Sequence, residues 1–186
     1  AKADQIPADL LPIAQKILQS SWNGNIRAEA NEKFGSDTAK SSVDIAKLLA
    51  QEGDVAKGLL ISNNYCVSCH KIGDKGIDFG PALSEIGDKL SKEGLFNAII
   101  NPSEGIGFGY ETQLVKLKDG TQFTCIVNSK TENDLVVKLV GTAEQKIYKL
   151  VNVESITQLD ESLMPKFPLS ETELVDLVSY LETLRK

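Results

Sequence analysis

The chain has 186 residues, with 20 Lys plus Arg against 26 Asp plus Glu, a net charge of −6 at pH 7. This acidic balance excludes an ordinary nucleic-acid binder, which needs a basic face. Hydrophobic residues at 41% and charged residues at 25% describe a folded chain, and no apolar run reaches the roughly 18 residues of a membrane span.

The first segment is polar and holds Pro7 and Pro12. No signal peptide is visible there, so the chain reads as mature after cleavage or as a piece of something longer. Leu10, Ala14, Ile17 and Leu18 share one face of an amphipathic helix, and Ile26 to Phe34 makes a second short one. Ser41 with Asp44 is expected to cap a third, with Ile45, Leu48 and Leu49 apolar. Residues 1–50 thus read as a helical extension, either plain or the end of a helical-repeat domain.

Gly53 to Ile61 reads as a helix with Asp54 as N-cap, and it leads into Cys66-Val67-Ser68-Cys69-His70. This run is the c-type haem attachment signature. Two thiols add to the two vinyl groups of one porphyrin edge, and a two-residue spacer on a helical turn sets their separation. The next residue then faces the iron, where an imidazole is the proximal ligand. Three other readings share the spacing. A thioredoxin-like dithiol wants a strand before it. A zinc site wants about four ligands, and only Cys66, Cys69, His70 and the distant Cys125 are present. A buried pair of structural thiols is the third.

His70 is the single His in the chain. Bis-histidine ligation within one chain is therefore excluded. The sixth ligand is left to Met, Lys, Cys, Tyr, an amine, water or nothing.

Lys71 to Gly80 is a loop with turn formers at Gly73, Asp74, Gly76 and Asp78, followed by Gly80-Pro81-Ala82-Leu83. A ligating imidazole needs an acceptor for its other nitrogen, and the Pro81 carbonyl suits; otherwise Pro81 is an ordinary turn residue. Leu83 to Leu90 and Lys92 to Ile100 read as two short helices, the second stopped by Asn101-Pro102.

From Tyr110 to Leu159 the period changes to two. Strands are expected at 114–117, 122–128, 135–140, 146–151 and 155–159. They make four or five antiparallel strands in a meander, closed or partly closed. Cys125 alternates with Phe123 and Val127, which marks a buried apolar thiol. Met164, the one Met, stands beside Pro165 in an irregular stretch. It is either a core gap-filler or a thioether offered to iron. Leu169 to Lys186 is the clearest helix: Ser170 and Glu173 form a capping box, and Leu174, Leu177, Val178 and Leu181 line one face.

Taken together, these residues resemble class I cytochromes c over Gly53–Ile100 and Leu163–Arg185. The matching positions are Gly58, Cys66, Cys69, His70, Pro81, Leu83, Met164 and Tyr180. The resemblance implies covalent haem on Cys66 and Cys69, Pro81 as acceptor for His70, and Met164 as sixth ligand. It also implies a C-terminal helix crossing the N-terminal one. Ser62 stands where that family usually has an aromatic, which leaves the helix contact to Ile61 and Tyr180.

The wider match is similar to the planctomycete-type haem-binding domain, which inserts a small β unit before the Met loop. Met164 lies 94 positions after His70; without the 48 residues from Tyr110 to Thr157 the separation is 46, about that of a small class I cytochrome. The insert is therefore expected to be separable, so that its deletion preserves ligation.

The expected fold is a mainly α cytochrome c domain over 51–186, interrupted by antiparallel β structure at about 110–159, with the helical extension before it: α+β overall. One haem c, His70/Met164 ligation and one-electron transfer follow from the resemblance. So do a periplasmic or otherwise exported location and a redox partner or adjoining dehydrogenase domain. The alternative is a haem-based sensor or peroxidase-like enzyme with a labile sixth ligand.

Overall fold

The computed structural model describes residues 10–19, 26, 29–30, 33–34, 43–142 and 144–186. Helices with defined bounds among them are α1 Leu11–Gln19, α2 Ile45–Leu49, α3 Val55–Tyr65, α4 Ile86–Lys89, α5 Lys92–Ile100 and α6 Glu171–Glu182; Ile26, Glu29, Ala30, Lys33 and Phe34 are also helical, and the rest of the expected 26–34 helix lies outside the described residues. Five strands fall between α5 and α6: β1 Thr112–Leu117, β2 Gln122–Lys130, β3 Asp134–Leu139, β4 Gln145–Lys149 and β5 Val153–Leu159. The chain is mixed α+β, as its two hydrophobic periods require.

Local chemistry sets the helix starts. The Asp44 carboxylate accepts from Lys47 N and caps α2; Ser41, its expected companion, lies outside the described residues. Asp54 accepts from Ala56 N and Lys57 N at the head of α3. Ser91 accepts from Gly94 N on α5, and Ser170 with Glu173 completes a capping box on α6. The expected helix over 83–90 shrinks to α4, because Leu83 N donates to Lys71 O and stays in the loop. Helix α6 ends at Glu182 rather than Lys186: Arg185 Nε turns back to Glu182 O, and Lys186 N donates to Asp88 Oδ2 on α4.

A helical core is formed by Leu48, Leu95, Phe96, Ile99, Ile100, Leu174, Leu177, Val178 and Leu181. Its closest seam is the crossing of α3 and α6. A Cβ on Gly58 would stand 2.0 Å from Asp176 O and 2.7 Å from Tyr180 Cβ. Ser62, one turn on, is fully buried. The Asp176 carboxylate, itself buried, accepts from Asp54 N at 2.7 Å and ties the start of α3 to α6. Small residues thus let the helices approach. The expectation that the contact rests on Ile61 and Tyr180 is too narrow, since both are only half-buried. Gly58→Ala is expected to cost about 2 kcal/mol or more in chemical denaturation, because the clash is with backbone that cannot rotate away.

The sheet order is β4-β3-β2-β1-β5, antiparallel throughout. Four strands run as a meander, and β5 then returns to pair with β1. At about 4.8 Å per strand, a flat sheet would hold β4 and β5 about 19 Å apart. Only the 3-10 turn Leu150–Asn152 joins them, with a rise of about 2 Å per residue. The sheet must therefore curl. Its concave side encloses Val115, Leu117, Cys125, Leu135 and Val137, all buried. Burial pushes the Cys125 thiol up to about 12, so it stays protonated and unreactive near neutral pH. A thiol reagent should leave Cys125 unmodified in the folded protein and label it after denaturation. Rapid labelling of the native chain would contradict this packing.

Candidate functional site

Helix α3 delivers the motif. Its C-cap is Cys66, whose carbonyl accepts from Cys69 N and His70 N, so the chain makes one more turn through the motif. Cys66 is buried in the helical core. Cys69 is half-buried and packs instead with Phe79, Ile126 and Leu163. Neither thiol forms a disulfide, and burial pushes that of Cys66 up.

The loop after the motif folds back onto it. Ile77 N donates to Val67 O, Phe79 N and Gly80 N to Cys69 O, and Leu83 N to Lys71 O. Two glycines make this possible. Gly76 has φ +88°, and a Cβ there would lie 2.1 Å from His70 O. A Cβ on Gly80 would lie 2.6 Å from His70 Cε1, so the ring packs flat against bare backbone.

His70 Nδ1 stands 2.7 Å from Pro81 O. A carbonyl only accepts, so Nδ1 carries the proton and Nε2 keeps its lone pair. Burial moves the imidazole below its ordinary value, with the Pro81 carbonyl opposing, which favours the neutral ring. A neutral imidazole with one nitrogen fixed and the other open is what a metal requires of it.

The remaining candidates are Leu83, in the loop after the motif, and Met164, beyond the sheet. Leu83 and Met164 are both half-buried against the same helical core that holds Cys66. Met164 N donates to Ser162 Oγ, and Ser162 N donates to Ser103 Oγ, which pins the Met loop to the turn after α5. Phe167 meets Tyr65 of α3 in a tilted ring contact at 5.3 Å. Leu163, directly before Met164, is buried with Phe79 and Ile126.

Gly80, Tyr65, Phe167 and Ile126 were not singled out from the sequence. Gly80 carries a signal in Gly-Pro after the motif and Tyr65 adjoins Cys66, whereas Phe167 and Ile126 reach the site only through long-range packing.

The competing readings of the motif fare poorly. A helix precedes it, where the thioredoxin-like arrangement has a strand. Among the described residues no group of three or more His, Cys, Asp or Glu is placed to hold a metal ion, as a zinc site would need. A porphyrin asks for something else: two thiols at the end of one helix, an adjacent oriented imidazole and an apolar wall. Those features are present.

Comparison with known proteins agrees with this geometry. Residues 55–122 match the family model described as Cytochrome c. The match spans Cys66, Cys69, His70, Pro81 and Leu83 and stops before Met164. No curated protein matches the chain. Over that span the chain is similar to cytochromes c, a likeness that supports haem binding, electron transfer and a redox partner. No helix among the described residues is long and apolar enough to cross a membrane.

Proposed function

We propose that residues 51–186 form a one-haem electron-transfer domain in which His70 and Met164 ligate the iron and Cys66 and Cys69 hold the porphyrin through thioethers. The observation that carries this is the His70 Nδ1 to Pro81 O contact. It leaves Nε2 as the one free nitrogen in the chain's single imidazole. Bound haem supplies a one-electron iron couple, and Met/His ligation sets that couple at the higher end of the range.

The chain's own residues do the rest. Pro81 fixes the tautomer and ring plane of His70, raising its basicity as a ligand. Gly80 gives the ring room. Leu83 supplies apolar wall, and Ser162 holds the backbone of Met164. A sensor or peroxidase-like role would need a labile sixth position; with no second His in the chain, no imidazole is available to assist peroxide cleavage.

In this proposal the strands within 110–159 are an insertion of the planctomycete type, and residues 1–50 are the end of a helical-repeat domain or a plain extension. The domain works in the periplasm or another exported compartment, within a larger redox protein. Its electrons pass to or from a partner or an adjoining dehydrogenase domain. A net charge of −6 favours a basic docking surface on that partner. The test is the ferric absorption spectrum. A low-spin iron with a weak Met-to-iron charge-transfer band toward the red is expected; a high-spin spectrum in the native protein contradicts Met164 ligation.

A further inference from the structure

The convex side of the sheet is largely open to solvent except for one row. Thr112, Ile126 and Lys138 are direct cross-strand partners on β1, β2 and β3. Thr112 and Ile126 are buried, and the Lys138 side chain is 13% exposed. What covers the row lies far away in sequence. Ile126 packs with Phe79, the residue before Gly80, and with Leu163, the residue before Met164. Tyr110, Val140, Ile77 and Cys69 complete that cluster. Lys138 Nζ lies 3.3 Å from Oδ1 of Asp78, an exposed carboxylate on the same loop.

A single row of the sheet therefore touches the loop that orients His70 and the segment that presents Met164. The sheet is not the free-standing appendage that a separable insert would be. We propose that the row centred on Ile126 is the positioning element that holds these two loops against each other, and that it thereby restrains Met164 from leaving the iron and keeps external ligands out. Ile126 and Lys138 touch no reacting atom; they act through Phe79, Asp78 and Leu163. This inference rests on the reading of Met164 as ligand for its consequence at the iron, but not for the mechanical coupling of the loops.

Tight packing makes the coupling discrete. An Ile wedged between two loops transmits displacement from one to the other, whereas a void lets each move alone. Lys138 adds direction, since moving the 77–79 loop outward would separate its ammonium from the exposed Asp78 carboxylate, a solvent-screened contact of modest size.

The experiment uses the holoprotein and three variants: Ile126→Ala, Lys138→Gln and, as control, Val137→Ala, which opens a void on the concave side of the same sheet. Two quantities are read. One is amide hydrogen exchange at Gly80 and Met164. The other is the rate at which added imidazole binds ferric iron. Ile126→Ala should raise both about tenfold, the effect of a barrier lowered by about 1.4 kcal/mol. Lys138→Gln should raise both by a smaller factor, and Val137→Ala should leave both near the parent values even where it lowers the melting temperature as much. Equal acceleration in Val137→Ala, or none in Ile126→Ala, overturns the proposal. Should Ile126→Ala fail to fold, Ile126→Val must show the same direction at reduced size. If the parent protein lacks the Met-to-iron band, the Met164 assignment fails; exchange at Gly80 together with Met164 still decides the coupling.

Discussion

Met164→Ala is expected to convert the low-spin iron to high spin, or to water or Lys ligation, and to lower its reduction potential. Axial-ligand changes span about 0.8 V, and loss of a thioether should take a large share of that range. The size follows from chemistry: a thioether favours the reduced iron, and water or an amine does not. Met164 is the only Met and His70 the only His, so neither a second thioether nor a second imidazole can substitute from within the chain. The fold should survive, because Met164 is half-buried at the rim of a core built on Phe96, Leu177 and Val178. Redox titration and the ferric spectrum of the variant check this. An unchanged low-spin spectrum and unchanged potential would return the sixth ligand to Lys or a partner chain.

The second large effect is all-or-none. Cys66→Ser with Cys69→Ser should abolish covalent haem entirely, since the one other cysteine of the chain, Cys125, is enclosed in the sheet. The single variants should separate in stability. Cys66 belongs to the helical core at the end of α3, so its loss disturbs the α3–α6 packing. Cys69 belongs to the smaller cluster with Phe79, Ile126 and Leu163, so its loss loosens the loop side. Denaturing gel analysis stained for haem peroxidase activity distinguishes attached from free porphyrin. A double variant that still retains haem through denaturation would refute attachment at these thiols.

Much of this was legible in the sequence because it is local. Ser170 and Glu173 are three residues apart, and their capping box forms as read. The Asp54 N-cap depends only on the turn it opens. Period-two patterning located the strands to within a few residues, and the alternation of Phe123, Cys125 and Val127 placed the thiol inside. The Pro81 carbonyl could be anticipated from chemistry, since a fixed imidazole needs an acceptor and the Gly-Pro segment offers one.

What was not legible is what depends on contact across the chain. The approach of α3 to α6 at Gly58 and Ser62 is set by absent side chains, which leave no hydrophobic signal. The return of β5 to β1 is fixed by strand pairing across 40-odd residues, and the strand pattern alone does not name the partner. By alternation, Ile126 on β2 and Lys138 on β3 fall on the face opposite the buried Cys125 and Val137. Only the loops at 77–79 and 163 reveal why an ammonium and an isoleucine share a covered row.

Covalent haem on this chain is tested most directly by the intact mass of the purified protein under denaturing conditions. The expected mass is that of the polypeptide plus one haem, with the addition confined on digestion to the peptide bearing Cys66, Cys69 and His70. A mass equal to the bare polypeptide, from protein matured in a host that attaches haem to such motifs, would contradict the account.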